Sequence, residues 1–201
     1  MTQNLARVAV FISGSGTDLQ SLIDASRDGR LSAEIAWVVS SKEEAYGLVR
    51  AGNAGIESAV FKMKEFESAQ IAGEFLVRNL RDRKIDYVVM AGYLKMMPVE
   101  VLRAYPDRVV NIHPALLPKY GGKGMYGRKV HEAVIASGDK QSGPTVHLAD
   151  EVYDHGKILE QRSVPVLPED TPDTLAARVL EVEHELYPIA LNKLIRGEYR
   201  L

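Results

Sequence analysis

Cysteine is absent from this 201-residue chain, which excludes disulfides and thiolate chemistry and fits a reducing compartment. Long apolar runs are missing too: none approaches the ~20 residues a membrane-spanning helix needs. The opening MTQNLARVAVFISGSG lacks the apolar core and small-residue cleavage site of a secretory signal. Excess charge of one sign is also lacking. The formal net charge is −2, without the basic surplus that marks a dedicated nucleic-acid binder. Repeats, low-complexity tracts and long linkers are not found. These absences lead us to expect a cytoplasmic protein with no nucleic-acid or membrane partner. What is present is ordinary globular composition, 46% hydrophobic and 26% charged, long enough to bury a sizeable core. One domain over residues 1–201 is expected, with monomer and homodimer left open.

The first half alternates strand and helix. RVAVFI (7–12) is a short β-branched run, followed by SGSGTD and the helical pattern LQSLIDAS. AEIAWVVSS (33–41) is a second strand, before a helix over 43–53 that stops at Gly55. IESAVF leads to a charged helix over 64–83. IDYVVMAG (85–92) precedes a helix starting at Pro98, a residue suited to a first helical position. VVNIH (109–113) follows. Near-continuous apolar strands separated by helices predict an α/β fold: an open, mostly parallel, Rossmann-like sheet with helices on both faces. The second half differs. YGGKGMYG (120–127) is a glycine-rich loop before the helix RKVHEAVIASG. TVHLADEV and KILEQRSVPV flank YDHG and read as an antiparallel strand pair with a wide turn. A last helix runs from about Pro172, and Pro188 inside it should kink or split it.

Four polar stretches stand out. SGSGTD (13–18) joins a strand to a helix, where glycines allow close approach and a helix N-terminus offers free N–H groups to an anion. A plain turn capped by Thr17 or Asp18 explains it equally well. In VVNIHP, Asn111 and His113 interrupt apolar residues at period two, so both point the same way at the carboxyl edge of the sheet. An amide donor beside an imidazole suits a carbonyl that becomes an oxyanion. TVHLADEVYDHGKI (145–158) holds His147, Asp150, Asp154 and His155. A metal site is the lesser reading, because these spacings fall on a strand and a turn. A carboxylate that orients His113 fits better, since an imidazole's second nitrogen needs a partner. RVLEVEHELYP (178–188) carries Glu183 and His184 on the last helix and by itself says little.

Taken in order, FISGSGTDLQSLIDA, VVSSKEEAYGLVRAGNAGI, VVMAGYLKMMP, VVNIHPALLPKY, TVHLADEVYDHGKIL and RVLEVEHELYP resemble the phosphoribosylglycinamide formyltransferases, over about residues 7–197. The NIHPALLP and DEVYDHG pair is shared by folate-dependent formyl transferases generally. The resemblance implies the formyltransferase fold, with a nucleotide-binding N-terminal half and a folate-binding, catalytic C-terminal half. The extra C-terminal domain of the methionyl-tRNA relatives and the N-terminal domain of the deformylases are not expected. It also implies a reaction in purine biosynthesis: the formyl group of 10-formyltetrahydrofolate passes to the amine of 5′-phosphoribosylglycinamide, with no metal required. Hydrolysis of the same folate and transfer to another amine are the alternatives.

The implied roles fall on particular residues. Asn111 and His113 would stabilise the tetrahedral intermediate, and Asp154 would hold His113 and help move protons. The ribonucleotide would be bound by Gly14, Ser15, Gly16, Thr17, Asp18 and Glu183, and the folate by Leu94, Lys95, Met96, Met97, Ala149, Asp150 and Asp154. The chain departs from the family pattern at Asp18, commonly Asn, and at Lys95, often Arg. Lys119, Lys123, Arg128 and Lys129 around the glycine-rich loop are expected to supply the positive charge that Asp18 removes.

Overall fold

A computed structural model describes residues 5–201; residues 1–4, part of the expected domain and of the N-terminal reading, lie outside the described residues. Five strands form the parallel part of the sheet: β1 (Ala6–Ile12), β2 (Ala33–Ser40), β3 (Ser58–Val60), β4 (Tyr87–Met90) and β5 (Val109–His113). After a short β6 (Gln141–Ser142), β7 (Thr145–Leu148) and β8 (Ile158–Gln161) add antiparallel strands at one edge. The order across the seven strands is β3-β2-β1-β4-β5-β7-β8. Strand order reverses at β1 and β4, the switch point where open α/β sheets place ligands at their carboxyl ends.

Period-two alternation in β1 accounts for a core on each face. Val8, Val10 and Ile12 pack with Leu19, Leu22 and Ile23 of α1 (Thr17–Arg27) and Leu186, Tyr187 and Leu191 of α6 (Pro172–Ile195). Ala9 and Phe11 face the other way, against Leu76 and Leu80 of α3 (Ala69–Asp82) and Val101 of α4 (Val99–Ala104). A smaller cluster joins α5 (Arg128–Ser137) to α6 through Val134, Leu175 and Val179. Among the described residues, no helix is long and apolar enough to cross a membrane.

Element ends follow local chemistry. α2 (Tyr46–Asn53) stops as expected: Gly55, at φ 71°, donates to Gly52 O at 3.0 Å and Ile56 donates to Ala51 O at 2.9 Å, a Schellman pair. The helix expected over 64–83 starts only at Ala69, because the Ser68 hydroxyl accepts from Ile71 N–H at 3.1 Å and sets the boundary there; Met63–Glu65 is a separate 3-10 turn. Pro98 is the N-cap of α4 rather than its first helical residue. KILEQRSVPV divides, with Ile158–Gln161 pairing β7 and β9 (Val164–Pro165) pairing β6. Pro165 has no N–H to extend the first ladder.

α6 runs as one helix through Pro188, so of the expected kink or split the split does not occur. A mid-helix proline costs about 3 kcal/mol. Burial of Leu186, Tyr187, Ala190, Leu191 and Leu194 on both sides of it offsets that cost. Tyr187 adds an anchor: its hydroxyl shares one proton between Met90 O at 3.0 Å and Val110 O at 3.1 Å, tying α6 to the carboxyl end of β4 and the start of β5.

Candidate active site

The site begins with the register of β5 on β7. Asn111 lies directly across from His147, and His113 across from Thr145. The His147 ring sits 1% exposed, and its Nδ1–H donates to Leu148 O at 2.8 Å. That choice of tautomer leaves a lone pair on Nε2, which accepts from the Asn111 amide Nδ2 at 3.0 Å. The imidazole therefore decides which way the Asn111 amide faces. His147 was not among the expected site residues; without the strand register, TVHL does not say which residue meets Asn111.

Asp154 closes the cluster from the β7–β8 turn. It stands at φ 56°, a left-handed conformation that aspartate tolerates better than most residues. Its Oδ1 lies 3.4 Å from Asn111 Nδ2 and 3.6 Å from His147 Nε2. Its Oδ2 accepts from Gly122 N–H at 2.9 Å and lies 3.5 Å from His113 Nδ1. Amide, two imidazoles and carboxylate, from three segments, thus meet around one point. The turn that carries Asp154 depends on Gly156, where an added Cβ would fall 1.9 Å from Leu148 O. Gly156→Ala is expected to destabilise the protein by about 2–4 kcal/mol, read as a lower urea midpoint at unchanged slope.

Asp154 acts on His113 by charge rather than through a short hydrogen bond: its Oδ2 stands 3.5 Å from Nδ1, within ion-pair range. The His113 tautomer is set instead by Tyr120, whose carbonyl accepts from Nε2–H at 2.8 Å. This leaves Nδ1 facing the carboxylate. Burial lowers the His113 pKa below 6.5, although the Asp154 charge and the Tyr120 carbonyl oppose it. Burial also pushes the Asp154 carboxyl up, but the two imidazoles and the Gly122 N–H outweigh it and hold the group below 3.8.

These groups open into a cleft of about 660 Å³. Leu94, Lys95, Met96 and Met97 line one wall, with Ala149, Asp150 and Asp154 in the turn facing it. Asp18 and Glu183 line the floor. Gly14, Ser15, Gly16 and Thr17 are not among the lining residues. The first two carbonyls turn towards α2: Gly14 O accepts from Gly47 N–H at 3.1 Å and Ser15 O from the Arg50 guanidinium at 2.9 Å. Gly16, at φ 69°, is required by packing, because a Cβ there would sit 2.7 Å from Gly47 Cα. Neither Thr17 nor Asp18 caps α1; the cap position is Gly16 and no side chain bonds the first N–H groups. The helix start is thus left open to an anion.

The four residues considered for a metal separate into two pairs. His147 and Asp154 meet at the buried end of the cleft, whereas Asp150, at its rim, pairs with the exposed His155 at 3.2 Å. The expected basic patch also divides. Lys119 pairs with Asp139 at 2.9 Å, Arg128 with Glu132 at 2.9 Å and with Asp173, and Lys129 stacks on Tyr126. Lys123 lines the cleft, and no carboxylate of the described residues lies in ion-pair range of it.

The formyl transferase family pattern matches residues 6–191. A chloroplastic phosphoribosylglycinamide formyltransferase of Vigna unguiculata is 48% identical over 187 residues, covering 93% of this chain. The chain spans only 60% of that plant relative's length. The phosphoribosylglycinamide formyltransferase of Haemophilus influenzae is 40% identical over 98% of this chain and 91% of its own. The crystal structure of glycinamide ribonucleotide transformylase 1 from Symbiobacterium toebii superposes with a TM-score of 0.93 at 35% identity, covering 100% of this chain and 92% of that one. Fold, cluster and sequence agree, and the chain belongs to the formyl transferase family.

Proposed function

We propose that the protein transfers the formyl group of 10-formyltetrahydrofolate to the amine of 5′-phosphoribosylglycinamide, a step of purine biosynthesis. The observation that carries this reading is the meeting of Asn111, His113 and Asp154 in one cleft whose floor adjoins the uncapped start of α1. The apolar lining, with Met97 on one side and Ala149 on the other, suits a flat heterocycle, and the open N–H groups of α1 suit a phosphate. The partners of the reaction are small molecules, with no nucleic acid or membrane involved, and the reading includes a single domain, a cytoplasmic setting and a monomer or homodimer.

The chemistry follows from the side chains. The amine attacks the formyl carbon and the C=O electron pair moves onto oxygen. Asn111, its amide held by His147, donates to that oxygen; its second N–H is otherwise given only a long 3.4 Å contact with Asp154. His113 supplies positive charge as the oxyanion forms, supported by the Asp154 carboxylate behind Nδ1. The proton lost by the amine is passed through Asp154 and water to the folate nitrogen, whose C–N bond then breaks. No step is routed through a metal.

Incubating the protein with both substrates and following folate absorbance tests this, with the ribonucleotide omitted as control. Formyl transfer that depends on the ribonucleotide is expected. Rapid formate release without it would make the protein a hydrolase instead. The basic residues give a second, differential expectation. Lys123→Ala should raise the ribonucleotide KM several-fold, while Lys119→Ala, already paired with Asp139, should leave it unchanged. Equal KM values in all three proteins would remove Lys123 from the substrate.

A further inference from the structure

The cleft floor contains a cluster that the reaction above does not explain. Asp18, in the first turn of α1, faces Glu183 and His184 of α6. Asp18 Oδ1 and His184 Nε2 are both sealed from solvent and both lack a hydrogen-bond partner. They stand 3.8 Å apart, too far to bond each other. Glu183 is only 7% exposed, lines the cleft, and receives no hydrogen bond from the described residues.

The groups packed round this cluster do not neutralise it. From α2, Arg50 gives its Nε to Ser15 O at 2.9 Å and Nη1 to Gln20 Oε1 at 3.3 Å, so its fork is turned to backbone and amide. Its charge does reach His184, which burial and Arg50 together hold below 6.5 and therefore neutral at pH 7. From α6, the Tyr187 hydroxyl spends its proton on Met90 O and Val110 O. Two neighbouring buried carboxylates without a cation cannot both ionise cheaply, so the pair retains a proton. Once protonated, a carboxyl gains an O–H donor.

We propose that Asp18 receives the ribonucleotide as a carboxylic acid, donating a hydrogen bond to its anionic sugar-phosphate, and that the proton for this is taken from solvent as the ligand enters. This rests on the substrate assigned under the proposed function. Glu183, the more deeply buried, keeps the pair's first proton: burial and then the Asp18 charge push its carboxyl well above the ordinary range. Burial lifts Asp18 to about 6. The sign follows. Below about 6 Asp18 already carries the proton and binding is strongest; above it the site must be recharged and affinity falls, towards tenfold per pH unit.

Asp18→Asn keeps the shape and a permanent donor, so it separates this account from a merely structural one. The ribonucleotide KM is to be measured from pH 5.5 to 8 at saturating 10-formyltetrahydrofolate, for wild type and Asp18→Asn. Calorimetry of ribonucleotide binding at pH 7, in two buffers of different ionisation enthalpy, counts the protons directly. Titration of the ligand's own phosphate and amine is common to both proteins and cancels. The wild-type KM should climb relative to the variant above pH 6, and the wild type should take up close to one proton more. Parallel KM profiles with equal proton uptake would overturn the inference while formyl transfer itself stood. Absence of both transfer and ribonucleotide binding in the wild type would overturn the inference and the function together.

Discussion

His113→Ala is expected to lower kcat by about 10²- to 10⁴-fold, the usual range for a positioned proton-transfer or charge-stabilising group. The folded state should survive, because the ring lies at the cleft end of β5 and its principal bond is to a loop carbonyl. Asp154→Asn is the sharper companion. Its side-chain oxygen can still accept from Gly122 N–H, so the turn is retained while the charge is lost. Removing that charge withdraws support for the imidazolium, so the His113 limb of the kcat–pH profile moves to lower pH. Turnover should fall by about 10²-fold or more with substrate KM values changed little. Steady-state kinetics from pH 5 to 9 decide the matter, and near-normal turnover in both variants would remove these residues from the chemistry.

Asn111→Ala should cost nearly as much, about 10²- to 10³-fold in kcat, because it deletes the N–H aimed at the developing oxyanion. The cleft geometry adds a second-variant test. Since His147 accepts from the Asn111 amide, His147→Ala frees that amide to rotate and should lower kcat with the first donor still present. If Asn111 and His147 act through one hydrogen bond, the double variant should be scarcely worse than Asn111→Ala alone. Fully additive losses would mean that His147 acts on the substrate by another route.

Much of this architecture was legible in the sequence because the relevant signals are local. The apolar runs of β1, β2, β4 and β5 and the terminator at Gly55 each reflect a few adjacent residues. The shared face of Asn111 and His113 follows from strand pleat alone. What escaped depends on pairings distant in sequence. His147 meets Asn111 only through the register of an antiparallel strand 36 residues away. The fate of Lys119 and Arg128 likewise rests on Asp139, Glu132 and Asp173, which composition does not connect to them. Pro188 misled for a related reason: its local penalty was clear, whereas the core that outweighs it is assembled from β4, β5 and α1.

Tyr120 ties two regimes of the chain together at a single residue. Its main-chain oxygen steadies His113, while its phenol is clasped by Ser137 at 2.5 Å and Asp139 at 2.7 Å on the far side of the loop. The Gly122 N–H on the Asp154 carboxylate is a second mooring just past it. Evolution is free to lengthen, shorten or recompose the tract from Lys123 to Gly127 to suit a different acceptor without detuning the imidazole next door.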